Sequence, residues 1–178
     1  MIHEDTDLAP ETVYGASKVA AEAAMTGYAR EHGIDAVALR FAWIYGPGRR
    51  TPTTLERLIR AGLAGDPVAL GDSASDRTHY VFIDDAVAGV RAAAKAPAGL
   101  PRRAYNISAG DGLPLGEVVK ALVSHLPRLR VAFRESRTPE LGPTGFELTN
   151  AACDLHYRPQ VSLSQGLRNY VEALEHDR

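Results

Sequence analysis

In the stretch VYGASKVAAEAAM, Val13 to Met25, a tyrosine and a lysine stand four residues apart. On a helix that spacing puts Tyr14 and Lys18 on one face. A cation held beside a phenol favours the phenolate. A tyrosine so placed can exchange a proton with a substrate hydroxyl near neutral pH, which is the acid/base half of a hydride transfer at an alcohol carbon. The same spacing also arises on a solvated helix face, so the pair by itself leaves both roles open.

The elements that would hold this pair follow from local signals. Pro10 and Glu11 suit a first helical turn, a long Ala-rich run follows, and Gly33 suits a stop, which predicts a helix over Pro10–His32. The apolar, β-rich run "IDAVALRFAWIYGPG" predicts a strand over Ala36–Ile44 ending in a Gly-Pro-Gly turn. Beyond it, a helix is expected at Thr54–Ala64 with threonine capping and Gly65 stopping it. Strands are expected at Val68–Leu70 and His79–Ile83, then a helix to about Ala96 capped by Asp84 or Asp85. A strand at Ala104–Ser108, a helix from Pro114 to Leu126, a strand in "RLRVAF" and a helix at Ser164–His176 complete the order. Alternating strands and helices of this kind imply an α/β fold with a parallel sheet. The run "ESRTPELGPTGF", Glu135 to Phe146, reads as a loop.

Several ordered motifs lie on this frame. They are Tyr14-x-x-x-Lys18, Arg40 followed by Tyr45-Gly46-Pro47, Arg77 ahead of Val81-x-Ile83-Asp84-Asp85, and Tyr105-Asn106-Ile107. "HEDTDLAP" before the first helix and "LHYRPQVSLSQGL" near the end fit the same order. Together they resemble the extended short-chain dehydrogenase/reductase family, the NAD-dependent epimerases and dehydratases, over nearly the whole chain. The resemblance implies the C-terminal part of a doubly wound Rossmann-type parallel sheet together with a smaller substrate-binding lobe. Residues 1–46 and 79–108 would belong to the dinucleotide-binding lobe, and residues 47–78 and 109–178 to the substrate lobe and C-terminal helix. It implies NAD or NADP as cofactor and a sugar nucleotide or related hydroxylated compound as substrate. Tyr14 would be the proton-transfer residue, and Lys18 would tune it and hold the nicotinamide ribose. Phe41, Trp43 and Ile44 would lie beside the nicotinamide, and Trp43 and Arg77 would meet the substrate.

Two departures bear on these expectations. Sugar-nucleotide members commonly carry Asn where this chain has Trp43, and a tryptophan offers a large apolar face and a single N–H donor. None of the 16 glycines builds the G-x-G-x-x-G turn that holds a dinucleotide pyrophosphate. The residues ahead of Tyr14 are too few for a βαβ unit of about 30 residues. The family's catalytic Ser or Thr would fall ahead of Met1. The chain therefore reads as the C-terminal half of such an enzyme. Cofactor binding by this half alone is expected to be weak, and the expected partners are a second copy or a complementing N-terminal half.

Other residues admit plainer roles. Arg77 suits a diphosphate by its guanidinium fork, and equally suits a loose pair with Asp72 or Asp76. Asp84 and Asp85 look like a carboxylate pair, but their place between strand and helix favours capping. Arg49-Arg50 fits either an anionic substrate or a solvated loop, and "RLRVAFRESR" alternates like a half-exposed strand. The net charge of −2 gives no electrostatic case for nucleic acid or an anionic membrane. The 45% hydrophobic and 24% charged residues are those of an ordinary globular domain with an adequate core. Cys153 is the single cysteine, which fits a reducing cytoplasm, and no spacing resembles a metal site. No run reaches the roughly 18 apolar residues of a membrane helix.

Overall fold

The computed structural model describes residues 1–135 and 142–177. Residues 136–141, within the expected loop, lie outside the described residues. In chain order the first elements are α1 (Val13–His32), β1 (Ala38–Phe41), β2 (Trp43–Tyr45), α2 (Thr54–Ala64), β3 (Pro67–Ala69), β4 (Arg77–Thr78) and β5 (Tyr80–Phe82). They are followed by α3 (Ile83–Lys95), β6 (Ala104–Ile107), β7 (Leu113–Pro114), α4 (Leu115–His125), β8 (Arg130–Ala132), α5 (Thr149–Asp154) and α6 (Leu163–His176). Among the described residues, three of the four strand pairs are parallel, which is the α/β arrangement expected.

The α1 helix starts later than Pro10. Thr12 is extended, and its hydroxyl accepts the Gly15 N–H at 3.0 Å, satisfying a donor that the helix itself cannot. Gly33 ends the helix in the left-handed region at φ 66°, with its N–H on the Ala29 carbonyl. Only Ala29 of α1 is buried.

The expected single strand at Ala36–Ile44 is two short ones. β1 runs parallel to β6 with Arg40 opposite Asn106, while β2 runs parallel to β5 with Ile44 opposite Val81. The change of partner falls on Ala42. Its N–H still donates to Ile107 at 3.0 Å, and the next amide, of Trp43, donates to His79 at 2.9 Å. The Ala42 side chain is buried with Val81 and Ala86, where a larger one would hold the two ladders apart. The strand expected at His79–Ile83 is observed as Tyr80–Phe82, and a separate short strand precedes it. Arg77–Thr78 pairs antiparallel with β7, and Tyr80–Phe82 pairs with β2.

The edges of the β1–β6 ladder differ. Asn106 of β6 turns its N–H outward to the Glu4 carboxylate at 2.9 Å, and its side-chain amide donates to the Ile2 and Glu147 carbonyls. The N-terminal segment thus covers that edge. On β1, the Ala38 and Ala42 amides face β6, donating to Arg103 and Ile107. A parallel ladder then points the Leu39 and Phe41 amides the opposite way. Among the described residues, no other strand pairs with β1.

The largest core lies among α2, α4 and α6, around Leu58, Ile59, Val118, Leu122 and Leu167. A second core gathers Tyr105 and Ile107 of β6 with Ala151, Leu155 and Tyr157. It includes α5, a short helix without a distinct sequence signal, whose Ala151 is completely buried.

The acidic pair after β5 does not cap α3. The N-cap position is Phe82, and both aspartates lie inside the first turn, where the helix dipole favours them. Asp85 is buried and reaches across the fold to accept the backbone N–H groups of Gln160 and Val161 at 2.9 and 3.0 Å. It thereby fixes the approach to α6. Asp85→Ala leaves both amides without their acceptor and is expected to cost about 2 kcal/mol or more in urea unfolding. Asp85→Asn, which keeps one acceptor oxygen, should cost less. A loss below about 0.5 kcal/mol in the alanine variant would show that water replaces the carboxylate freely.

Candidate active site

The α1 helix presents Tyr14, Lys18 and Glu22 at successive four-residue steps. The Lys18 ammonium lies 5.1 Å from the centre of the Tyr14 ring. Tyr14 is 73% exposed, so the phenol and the ammonium face open space together. Among the described residues, no carboxylate pairs with Lys18. Ser17 turns its hydroxyl back to the Tyr14 carbonyl at 2.7 Å.

One turn beyond Lys18, the helix is tied to the sheet. Arg40 of β1 grips Glu22 through two guanidinium nitrogens, with Nε 3.1 Å from Oε2, and also donates to the Glu4 carbonyl. Both side chains of the pair are half-buried, and the bidentate fork fixes direction as well as distance. Arg40 therefore sets the register of α1 against β1, and with it the place of Tyr14 and Lys18. The sequence pattern includes Arg40 but gives no hint of Glu22, because the contact depends on how helix and strand pack.

The other expected residues gather elsewhere. Trp43 and Ile44 of β2 and Arg77 of β4 line one cavity of about 250 Å³. Its remaining wall comes from Tyr45, from Thr53, Thr54 and Leu55 at the start of α2, from Asp72, Asp76, Thr78, His79 and Tyr80, and from Leu115. Trp43 is 67% exposed at its rim. Arg77 is half-buried and donates from Nη1 to the Gly112 carbonyl at 2.7 Å. Among the described residues, it forms no ion pair with Asp72 or Asp76. Arg49 folds its own loop, donating to the Ile44 and Thr51 carbonyls. Phe41 is half-buried and packs into the cores around β6 and Val81 rather than into this cavity. Tyr14 and Lys18 are not part of the cavity wall.

The floor of the cavity carries two packed rings. Tyr45 and Tyr80 meet edge to face at 5.5 Å between ring centres. Burial raises the phenol pKa of both, so both stay neutral and act as apolar walls. Gly46 follows at φ 130°, and a side chain there would begin 2.7 Å from Ile83. Asp72 and Asp76, which sequence reasoning considered only as partners of Arg77, are instead part of the cavity lining. Among the described residues, no group of three or more His, Cys, Asp or Glu could hold a metal ion. No described helix is long and apolar enough to cross a membrane.

Residues 1–108 match the profile of the NAD dependent epimerase/dehydratase family. The chain is 31% identical over 175 residues to a UDP-glucose 4-epimerase of Mycolicibacterium smegmatis, covering 95% of this chain and 55% of that protein. It is 29% identical over 174 residues to an uncharacterized UDP-glucose epimerase of Bacillus subtilis, covering 97% of this chain and 55% of that one. Among solved structures it is similar to the UDP-glucuronic acid 4-epimerase of Bacillus cereus in complex with UDP-glucuronic acid and NAD. That match has a TM-score of 0.88 and 25% identity, and covers 99% of this chain and 57% of the other. The chain thus spans a little over half the length of these relatives.

Proposed function

As the chain belongs to the NAD-dependent epimerase/dehydratase family, we propose that it carries the proton-transfer pair and the substrate cavity of an NAD(P)-dependent epimerase, dehydratase or reductase acting on a sugar nucleotide or a related hydroxylated compound. The observation that supports this most strongly is the Tyr14–Lys18 pair, an ammonium 5.1 Å from the centre of an exposed phenol ring.

Tyr14 takes the role of proton carrier to or from the substrate hydroxyl. Lys18 favours the negative charge that the phenol oxygen gains as that proton leaves. The exposed ammonium and phenol also fit the hydroxyls of a nicotinamide ribose, offering two donors on one helix face. When bound, the nicotinamide supplies the hydride acceptor and donor. Arg40 acts as a positioning residue by holding Glu22, one turn along the same face. Trp43, Ile44 and Arg77 meet the substrate from the cavity.

A second reading is supported by the open edge of β1. The chain would then act as one half of an assembled sheet, completed by a second copy or by a separate polypeptide that supplies the neighbouring strand. The two readings are compatible, since the exposed side chains of α1 lie next to the same ladder.

In an assembly that turns over a UDP-sugar, Tyr14→Phe is expected to lower kcat by about 10²–10⁴-fold, because it removes only the phenol oxygen. Near-normal turnover would assign proton transfer to another group. By itself, the 178-residue chain is expected to bind NAD(H) or NADP(H) more weakly than micromolar, since its glycines form no pyrophosphate turn. Calorimetric titration showing micromolar affinity would contradict that. For the second reading, light scattering at micromolar concentration is expected to show dimers or larger species. A strict monomer would count against it.

A further inference from the structure

Tyr14 and Lys18 stand outside the cavity wall, so a substrate that meets both depends on how α1 is held relative to β2. Arg40 supplies one tie, and Glu4 in turn holds Arg40. The guanidinium is bonded through all of its nitrogens, Nε and Nη2 to Glu22 and Nη1 to the backbone carbonyl of Glu4. Without that carbonyl, Nη1 loses its acceptor and the fork is free to turn on the Glu22 carboxylate.

The Glu4 carbonyl is set by its own side chain. Oε1 accepts the Asn106 N–H of β6 at 2.9 Å, and Oε2 accepts Nδ2 of Asn150, at the start of α5, at 2.8 Å. Bonds to an ionised carboxylate are about twice as strong as neutral ones. Asn106 is fully buried and lies opposite Arg40 in the β1–β6 register. One glutamate therefore binds both strands of the ladder, through its side chain to β6 and through its main chain to β1.

The same segment reaches the cavity. Ile2 donates its N–H to the Gly145 carbonyl at 2.7 Å, and its carbonyl accepts the Glu147 N–H at 2.9 Å. Between these two residues stands Phe146, whose ring meets His79 edge to face at 5.4 Å. The Pro143 carbonyl lies 2.9 Å from Nε2 of the same histidine. His79 is part of the cavity wall, and its backbone carbonyl accepts the Trp43 N–H. Ile2 thus grips the cavity side, while Glu4 grips the ladder that holds α1. Beyond Glu4 the chain runs on to the Thr12 cap of that helix.

We propose that Glu4 is a positioning residue, which fixes the Tyr14–Lys18 pair relative to the cavity through its carbonyl on Arg40 and its carboxylate on Asn106 and Asn150. Its effect on turnover rests on the proton-transfer reading above, whereas the placement is measurable without substrate.

Trp43 at the cavity rim is the only tryptophan and Cys153 the only cysteine, which supplies the probe. In a chain carrying Cys153→Ser and Ala21→Cys, an acceptor of tryptophan emission is attached at the exposed α1 position. Glu4→Ala is expected to widen the distribution of distances from Trp43 to the acceptor, and Asn150→Ala to widen it less. Glu4→Gln should stay near the parent, because it keeps its length, an oxygen for the Asn106 N–H and an amide that an inverted Asn150 can meet. Glu147→Gln controls for general loosening of the same segment, since that carboxylate accepts from Thr149, and no widening is expected. In an assembly that turns over a UDP-sugar, Glu4→Ala should lower kcat by about 10–100-fold, the scale of a displacement of about 1 Å, with KM within about twofold. An unchanged distance distribution in Glu4→Ala overturns the proposal and leaves the proton-transfer reading standing. So does a raised KM at unchanged kcat, which would assign Glu4 to the cavity, or equal widening in Glu147→Gln, which would assign it to stability alone. If every form including the parent lacks turnover, the proton-transfer reading fails and the distances still decide the placement. If Glu4→Ala does not fold, Asn150→Ala carries the same test.

Discussion

A parallel strand carries hydrogen-bonding groups along two edges, and the strand at Ala38–Phe41 has one of them satisfied by β6. Much of the fold hangs on that ladder. Its lower end receives α1 through Gly33, and its upper end passes at Ala42 into the ladder with Tyr80–Phe82. Through this one exchange of partners, a single run of chain joins the core around β6 to the core among α2, α4 and α6. Asp85 closes the same junction from the far side by holding Gln160 and Val161. The site residues are placed by these ties and not by local preference alone.

The chemistry is divided accordingly. The phenol–ammonium pair rides on a helix fastened to β1 by Arg40 and Glu22. The cavity lies beyond the partner exchange, at the start of β2, walled by two neutral tyrosines and rimmed by a tryptophan. Neither Tyr14 nor Lys18 enters its wall. A substrate that met both would have to extend from the cavity toward α1.

Local chemistry was legible in the sequence wherever the responsible atoms are close along the chain. Gly33 and Gly65 end their helices as expected, and Thr53 caps α2 because its hydroxyl needs only the amide of Glu56. The start of α1 falls at Val13 rather than Pro10 because Pro10 and Thr12 both carry a start signal, and the hydroxyl of Thr12 reaches the Gly15 amide. The break at Ala42 was hidden, since Ala36–Ile44 is evenly β-prone and the exchange depends on strands some 40 to 65 residues later in the sequence. Asp85 looked like a cap because its partners, Gln160 and Val161, are remote in sequence. In the site, Tyr14, Lys18, Trp43, Ile44 and Arg77 were nameable from pattern and resemblance. Asp76 as part of the cavity wall, and Glu22 as the anchor of Arg40, were visible only once the elements had packed.

The β1 strand offers one satisfied and one open edge beside the helix that carries Tyr14. Hydrogen exchange resolved to single amides in dilute solution measures this directly. Arg40 and Ala42, whose N–H groups face β6, should be protected, while Leu39 and Phe41, one residue away in each case, should exchange rapidly. Protection of all four amides in a chain that stays monomeric would show the outer edge already covered. That result would contradict the account.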